Sequence, residues 1–491
     1  MKLFSHQQNG LSIGKQEMKL FSHQQNGLSI GKQGSHAFFW QCGTGKTLLG
    51  LELVKYWKAQ GVGPALIVCP LSIIDVAWIE DAAKFTPELS IISLWSKKPA
   101  ERKERLFEDH DIYVVNFEMF KLLYEDICRR DFNIIIVDES SKMKNPKSQI
   151  TKALISLAGF GPIYKTRKNP YSRKIPIACR YILSGTPAPN DKSEYHQQIK
   201  FITGRGNKCF DDNFYSFRGK YFQAIPIGFT GHNRYEFRRD MRAEFMAAMK
   251  PVTHVVRKQD ALDLPEQIHE IRKVYLSPHE RNAYESFKLE KVLELQNETV
   301  LARTALTEVM KLRQFTSGFA YSDCGIIQTG KSKVKELKAL LEEIGNHQVI
   351  IWANFKYEIR TLLNELPKKS ISLWSQTPDK ADVINAFING HYQYLIANPQ
   401  SAGHGLTFIN CQDAIYFSLN YSYELQKQSQ DRIHRIGQQN KCTYYYLIAD
   451  KTIDEVILET IQKKDDLSST ILEYLRTGIY ETKRSYQPVT V

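Results

Sequence analysis

No two cysteines in this 491-residue chain are spaced Cys-x-x-Cys. The eight that occur, at positions 42, 69, 128, 179, 209, 324, 411 and 442, are scattered. That scatter argues against a zinc ribbon or a disulfide framework and for a reducing compartment. No apolar run approaches the length of a bilayer span and no secretory signal is visible. The expected setting is therefore cytoplasmic, in a bacterial or virus-infected cell, or nuclear in a eukaryote, with no membrane partner. Acidic residues are the minority charge: 53 Asp and Glu against 66 Lys and Arg leave +13 at pH 7, a balance that suits a polyanion such as nucleic acid. The remainder, 42% hydrophobic and 24% charged, is an ordinary globular composition, long enough for two or three domains.

The stretch around which the chain is organised runs from Phe38 to Thr47. An apolar run, His36 to Trp40, reads as a buried strand, and Leu48 to Trp57 carries apolar residues at helical spacing. Between them lies Gly43-Thr44-Gly45-Lys46-Thr47. Strand, glycine turn and helix form the context of a phosphate-binding loop. Gly43 and Gly45 let backbone N–H groups turn inward, the helix offers its positive end, Lys46 reaches the β- and γ-phosphates, and Thr47 can ligate magnesium. Trp40 stands where a small residue is usual.

Met1 to Gln16 recurs unchanged as Met18 to Gln33. Only the second copy keeps a fixed distance from the phosphate loop, so Gln24 is the candidate to read an adenine edge with its amide, the alternative being a solvated surface amide. The first copy, with Gln7, is expected to be a tail.

Apolar runs at Ala65–Cys69, Ile112–Val115, Asn133–Val137 and Arg180–Leu183, separated by amphipathic stretches, predict a parallel sheet with crossover helices. Residues of interest fall at the strands' carboxyl ends, where such sheets bind ligands: Pro70 and Ser72, Asn116 and Glu118, Asp138 and Glu139, Ser184 and Thr186. Carboxylates ending an apolar strand need a cation, which magnesium on a nucleotide supplies. Asp138 is then the metal group, and Glu139 polarises the attacking water. A basic stretch with Lys165, Arg167, Lys168, Arg173 and Lys174 among Tyr164 and Tyr171 reads as a loop, either solvated or in contact with phosphates.

A second α/β unit follows Leu264-Pro265. Helices are predicted near His279–Gln296, Ala302–Phe315 and Ser332–Ile344, and strands near Gln348–Trp352, Ser370–Leu373, Gln393–Ile396, Asp413–Phe417 and Thr443–Ile448. It has no phosphate loop of its own, which suggests a cleft where it supplies groups to the first unit. Ser401 to Thr407 is a glycine-rich turn suited to close approach to a phosphate chain. Arg432 and Arg435, three apart, would share a face on a helix and could then reach a γ-phosphate; the segment by itself reads equally as a surface arginine pair.

The succession Gln24, Gly43 to Thr47, Val68 to Ser72 with Trp78, Asn116-Phe117-Glu118, Asp138-Glu139, Ser184 to Pro187 with Asn190, Ala402 to Gly405 and Asp431 to Gln438 resembles helicase superfamily two. Its His-Arg-Ile-Gly-Gln ending is similar to the Swi/Snf-type branch, in a compact form like phage or bacterial relatives. The resemblance covers about residues 18 to 465 and implies an α/β fold of two RecA-like lobes, each a mainly parallel sheet flanked by helices, with helical insertions. It implies lobe 1 over 18–255 with an insertion at about 190–250, a linker at 256–275 and lobe 2 over 276–470, flanked by tails at 1–17 and 471–491. By position, Gln24, Gly43, Thr44, Gly45, Lys46, Thr47, Gly405 and Gln428 contact ATP, and Thr47 and Asp138 hold Mg2+. Lys46, Asp138, Glu139, Arg432 and Arg435 are the catalytic set. Ser184 and Thr186 couple nucleotide state to lobe movement, and Pro70, Ser72, Asn116, Ser401 and Gly403 line a nucleic-acid path.

The implied activity is DNA-dependent ATP hydrolysis driving movement along double-stranded DNA. Alternatives are a strand-separating or fork-remodelling helicase on single-stranded or branched DNA, and an ATP-switched clamp that does not hydrolyse. Ser140-Ser141 replaces the usual Ala-His after Asp-Glu, and Ser375 lies where glycine is common. A contact made by that His is therefore missing or made differently.

Overall fold

The computed structural model describes residues 20–160, 177–188, 191–204, 210, 212–226, 233–297, 302–322, 325–401 and 406–463. The first sequence copy with Gln7, the basic stretch around Lys165 to Lys174, Asn190, Gly403, Gly405 and the tail at 471–491 lie outside them.

Strands β1 (His36–Trp40), β2 (Ala65–Cys69), β3 (Ile91–Ser93), β4 (Ile112–Asn116), β5 (Ile134–Asp138) and β6 (Cys179–Leu183) come first along the chain. A separate antiparallel hairpin, β7 (Phe222–Pro226) with β8 (Asn233–Phe237), precedes β9 (Thr253–Val256). Apart from the hairpin these strands form one parallel seven-stranded sheet, ordered β3-β4-β2-β5-β6-β1-β9. Alternate residues serve opposite cores. Leu66 and Val68 join Phe117 and Phe120 on one face, while Ala65, Ile67 and Cys69 join Leu51, Leu53 and Trp78 on the other. Burial on both faces is why these strands read as continuous apolar runs, and each fully buried Leu, Ile or Val contributes about 1.5–3 kcal/mol.

The second half holds β10 (Gln267–Val274), an antiparallel hairpin of β11 (Phe319–Ser322) and β12 (Gly325–Gln328), then β13 (Val349–Trp352), β14 (Ser370–Leu373), β15 (Tyr394–Ala397), β16 (Asp413–Tyr416) and β17 (Cys442–Ala449). The hairpin apart, they make a parallel six-stranded sheet, ordered β10-β17-β16-β13-β15-β14. Ile350 and Trp352 enter one of its cores, Val349 and Ile351 the other.

Central strands match the predicted runs to within a residue or two, and the edge strand β14 matches its run, Ser370–Leu373; the other three edge strands do not appear among them. The stretch read as a linker, 256–275, contains β10, which among the described residues pairs with β17 alone and so tolerates His269, Glu270, Arg272 and Lys273. The edges β3 and β9 are short and were likewise not predicted. Within the insertion a helix spans Arg242–Met249, after the β7–β8 hairpin has ended at Phe237. No helix among the described residues is long and apolar enough to cross a membrane.

Because every strand of the first sheet runs the same way, Trp40, Cys69, Asn116, Asp138 and Leu183, their last residues, collect at one edge. The second sheet presents its 406–438 region to that edge.

Candidate active site

β1 ends in the glycine turn, and Lys46 opens a helix that runs to Ala59. Gly43 and Gly45 both have φ of +83°, a conformation glycine adopts freely. Gly45 is constrained twice, because a Cβ there would lie 2.1 Å from the Gln24 amide nitrogen. Gln24 stands on the Ser22–Gly31 helix, 3% exposed, with its carbonyl oxygen accepting from the Phe21 N–H and its amide reaching the Thr44 carbonyl at 3.4 Å. His23 meets the same carbonyl at 2.9 Å. Thr44 donates its hydroxyl to the Gln41 carbonyl at 2.8 Å. Lys46 turns back into the loop, giving its ammonium to the carbonyls of Trp40 at 3.0 Å and Gln41 at 3.4 Å.

Trp40, fully buried, fills the start of the loop and donates its indole N–H to His254 Nδ1 at 2.9 Å. Its ring lies where a side chain on Gly27 would be, 2.4 Å from an added Cβ, so the glycine of the neighbouring helix accommodates the tryptophan.

Asp138 and Glu139 are 5% and 6% exposed. Asp138 accepts from the Trp78 indole at 3.2 Å and from the Glu139 N–H at 2.9 Å. Burial raises its carboxyl above the ordinary range, and Lys46 opposes that shift. Burial pushes Glu139 up to about 8; Lys46 works against this, while Asp138 and Glu424 add to it. Glu139 sits at φ +59°, left-handed backbone that a side chain adopts at a cost of about 1–3 kcal/mol. A strained acid with a raised pKa at a strand end is an arrangement typical of a reacting group.

Groups from the second sheet complete the cleft. On the Tyr423–Gln430 helix, the Gln428 amide lies 3.4 Å from Glu139 Oε1, and Ser141 donates to Glu424 Oε1 at 2.9 Å. Arg432 is 8% exposed, donates to the Leu406 carbonyl at 3.2 Å, and is lowered to about 10 by burial, so it stays cationic at neutral pH. Arg435 donates to Thr407 Oγ1 at 2.8 Å and lays its aliphatic stem against Gly43. The Cys42 thiol, pushed up by burial, lies within electrostatic reach of Lys46, Asp431, Glu139 and Arg432, which places all five around one point. A cavity of about 210 Å³ opens there, lined by Gln41, Cys42, Glu139, Thr186, Lys427 and Gln428 among others.

The description that fits this chain is the SNF2-related domain, matched over residues 33–160 and 165–318, followed by the helicase conserved C-terminal domain over 332–437. The chain belongs to the SNF2-related family. It is accordingly an ATPase of the helicase type, which implies ATP as its nucleotide. Relatives of this SNF2-related chain include protein p41 of Acyrthosiphon pisum secondary endosymbiont phage 1, 25% identical over 88% of this chain and 93% of its own. An ATP-dependent helicase of Mycoplasma pneumoniae is 24% identical over 88% of this chain, which spans only 40% of that protein. The Sulfolobus solfataricus SWI2/SNF2 ATPase core, solved in complex with dsDNA, aligns over 94% of each chain at 21% identity and a TM-score of 0.42.

Other predicted residues of the SNF2-related lobes lie nearby in different settings. Ser184 is fully buried and accepts from the Thr186 N–H at 3.2 Å, and a Cβ on the intervening Gly185 would stand 3.2 Å from the Cys42 nitrogen, so this turn abuts the phosphate loop. Pro70 is half-buried and Ser72 exposed at the end of β2. Asn116 is buried and spends its amide on Glu118 at 2.9 Å, so its side chain faces the protein. Ser401 is half-buried, its N–H bonded to Asn398.

Sequence reasoning did not single out Lys258, His254, Gln41 or Glu424. Lys258 lay in the supposed linker, and nothing in a Lys-Gln-Asp-Ala string signals that its ammonium meets Asp431 at 2.6 Å. Trp78 was noted by position only; its bond to Asp138 gives it a role in holding that carboxyl.

Proposed function

We propose that this SNF2-related ATPase is stimulated by DNA and moves along double-stranded DNA with little sequence preference. One observation carries the reading: the phosphate loop and the Asp138–Glu139 pair come from one sheet, Gln428, Arg432 and Arg435 come from the other, and neither set forms a hydrolytic site alone. A motor needs this dependence, because hydrolysis then requires the two lobes to close and permits them to part.

In the proposed cycle, Gln24 reads the adenine edge and the loop from Gly43 to Thr47 cradles the polyphosphate, with Lys46 exchanging its two backbone carbonyls for the β- and γ-phosphates. Asp138 fits Mg2+, since among the described residues it accepts from two neutral donors while Lys46 is turned to the Trp40 carbonyl, and Thr47, next to Lys46 in the opening turn of the helix, would be the second group to hold the ion. When bound, the ion offsets part of the polyphosphate charge. Glu139, with Gln428 beside it, orients a water and accepts its proton as the oxygen attacks the γ-phosphorus. The bond to the β-phosphate oxygen breaks, ADP and phosphate result, and Arg432 and Arg435 stabilise the charge on the transferred group. Ser184 and Thr186, packed against the loop, pass its state to the rest of lobe 1.

Contacts along the duplex go chiefly to phosphates in this reading, in keeping with the net +13, so binding falls steeply as salt rises. Pro70, Ser72, Ser401 and Gly403 are the proposed track residues; Asn116 takes part through the shape of its turn.

The test is steady-state ATP hydrolysis with no polymer, duplex DNA, single-stranded DNA and RNA, beside a Glu139→Gln control. Stimulation by duplex DNA that vanishes in the control supports the proposal, and displacement of a third strand from a triplex then reads out movement. Stimulation by single strands alone, with unwinding of a duplex, replaces it by a strand-separating helicase. Hydrolysis that no polymer stimulates overturns it.

A further inference from the structure

Lys258 leaves the edge strand β9 beside the phosphate loop and carries its ammonium into the second lobe. It meets Asp431 Oδ1 at 2.6 Å and also donates to the His434 carbonyl, with the two side chains 7% and 8% exposed. These partners bracket Arg432. The connector after Lys258 holds the same turn again, since His434 contacts the Pro265 carbonyl at 2.7 Å and the Gln267 amide at 2.6 Å through its two ring nitrogens. On the other side, the Lys258 N–H donates to Gln41 Oε1 at 2.8 Å, and the Gln41 N–H donates to the Val256 carbonyl at 3.1 Å. Gln41 is also the residue whose carbonyl Lys46 engages.

A buried ion pair adds little to stability, because desolvation offsets most of its attraction; its best-attested use is to fix register. Here the pair spans two lobes and joins the phosphate loop to the arginine turn. We infer that Lys258 is a positioning residue for ATP hydrolysis: through Gln41 it senses the phosphate loop, and through Asp431 and the His434 carbonyl it sets Arg432 and Arg435 at the cleft. This rests on the hydrolytic reading above. Lys46 must release the Gln41 carbonyl to reach a polyphosphate, so nucleotide entry alters the first link of the chain and Lys258 conveys the change to the second lobe.

The test uses the full chain as wild type, K258M, K258A, K258R, D431N and K258M/D431N, with melting temperature, affinity for a fluorescent ATP analogue, single-turnover hydrolysis, and hydrogen exchange over residues 431–438. In K258M, kcat is expected to fall about tenfold or more, with nucleotide affinity held within about threefold. The double variant should be no slower than the slower single one, and methylamine should restore part of the K258A rate. K258R, which keeps the charge in a different shape, should fall between wild type and K258M. Exchange over 431–438 should quicken in nucleotide-free K258M. Wild-type kcat in a stably folded K258M, multiplicative losses in the double variant, or a loss that only tracks melting temperature without amine rescue each overturn the inference. The exchange readout needs no turnover, so a wild-type chain that hydrolyses no ATP defeats the proposed function alone, while unchanged exchange in K258M defeats the positioning role.

Discussion

Ser141 gives its hydroxyl to Glu424 Oε1 at 2.9 Å, a hydrogen bond between residues 283 positions apart that joins the two halves of the cleft. Ser140, its neighbour, turns the other way and bonds Gln198 Oε1 within the first half. The family resemblance implies Ala-His at this pair; here the contact across the cleft runs from a serine hydroxyl to the Glu424 side chain.

Ser141→Ala removes that contact. A hydrogen bond to a charged group contributes about 1.5–3 kcal/mol, roughly a tenfold or greater shift between closed and open lobes. The expected outcome is a lower ratio of DNA-stimulated to unstimulated hydrolysis with ATP affinity largely kept. An unchanged ratio at matched DNA saturation tells against a coupling role.

Glu139→Gln is expected to lower hydrolysis by about 10²–10⁴-fold while ATP still binds. It also has a consequence for stability. Burial holds the folded carboxyl up to about 8, against an ordinary value near 4.5, so the nucleotide-free fold prefers the protonated acid. Stability from this group is complete below the ordinary value and is lost as pH rises toward 8, by an amount on the order of a few kcal/mol. The glutamine variant should therefore melt higher than wild type at pH 8, and the gap should shrink toward pH 5. Melting curves of the two proteins without nucleotide at both pH values check the sign.

Gly27→Ala tests the packing of Trp40 against the helix that carries Gln24. The added methyl would lie 2.4 Å from a ring that is fully buried and pinned by its bond to His254, so the helix rather than the ring must give way. Overpacking of this kind costs about 1–3 kcal/mol. A lower melting temperature together with a raised KM for ATP is expected; a lower melting temperature with KM unchanged would separate the helix from nucleotide binding.

Arg432→Ala and Arg435→Ala should each depress kcat much more than ATP affinity, with losses in the range of about 10³–10⁵ for a true finger residue. The two arginines have different neighbours, Arg432 among Cys42, Asp431 and Glu139 and Arg435 against Gly43, so their losses need not be equal. Single-turnover hydrolysis at saturating ATP ranks them.

The central strands were legible in the sequence because two-sided burial demands unbroken apolar residues: Ile134 to Val137 can hardly be anything else, and the carboxylates that follow announce themselves by ending such a run. The phosphate loop was legible for a similar reason, since Gly43 and Gly45 occupy backbone that other residues resist. The edge strand β10 was not, because one-sided pairing leaves Glu270 and Arg272 free to be polar and erases the pattern. Nor did sequence reveal that Asn116 turns inward, since a polar residue at a strand end reads alike whether it meets solvent or Glu118.

Sequence alone thus determined the two parallel sheets and the groups at their ends, because each depends on local burial and local backbone geometry. Tertiary structure alone decided how the halves meet. Lys258 with Asp431, Ser141 with Glu424 and Gln428 with Glu139 are separated by 173, 283 and 289 positions. Charge and hydrogen-bond complementarity across such spans becomes specific only when folding fixes both partners, so no local pattern in the chain foretells it.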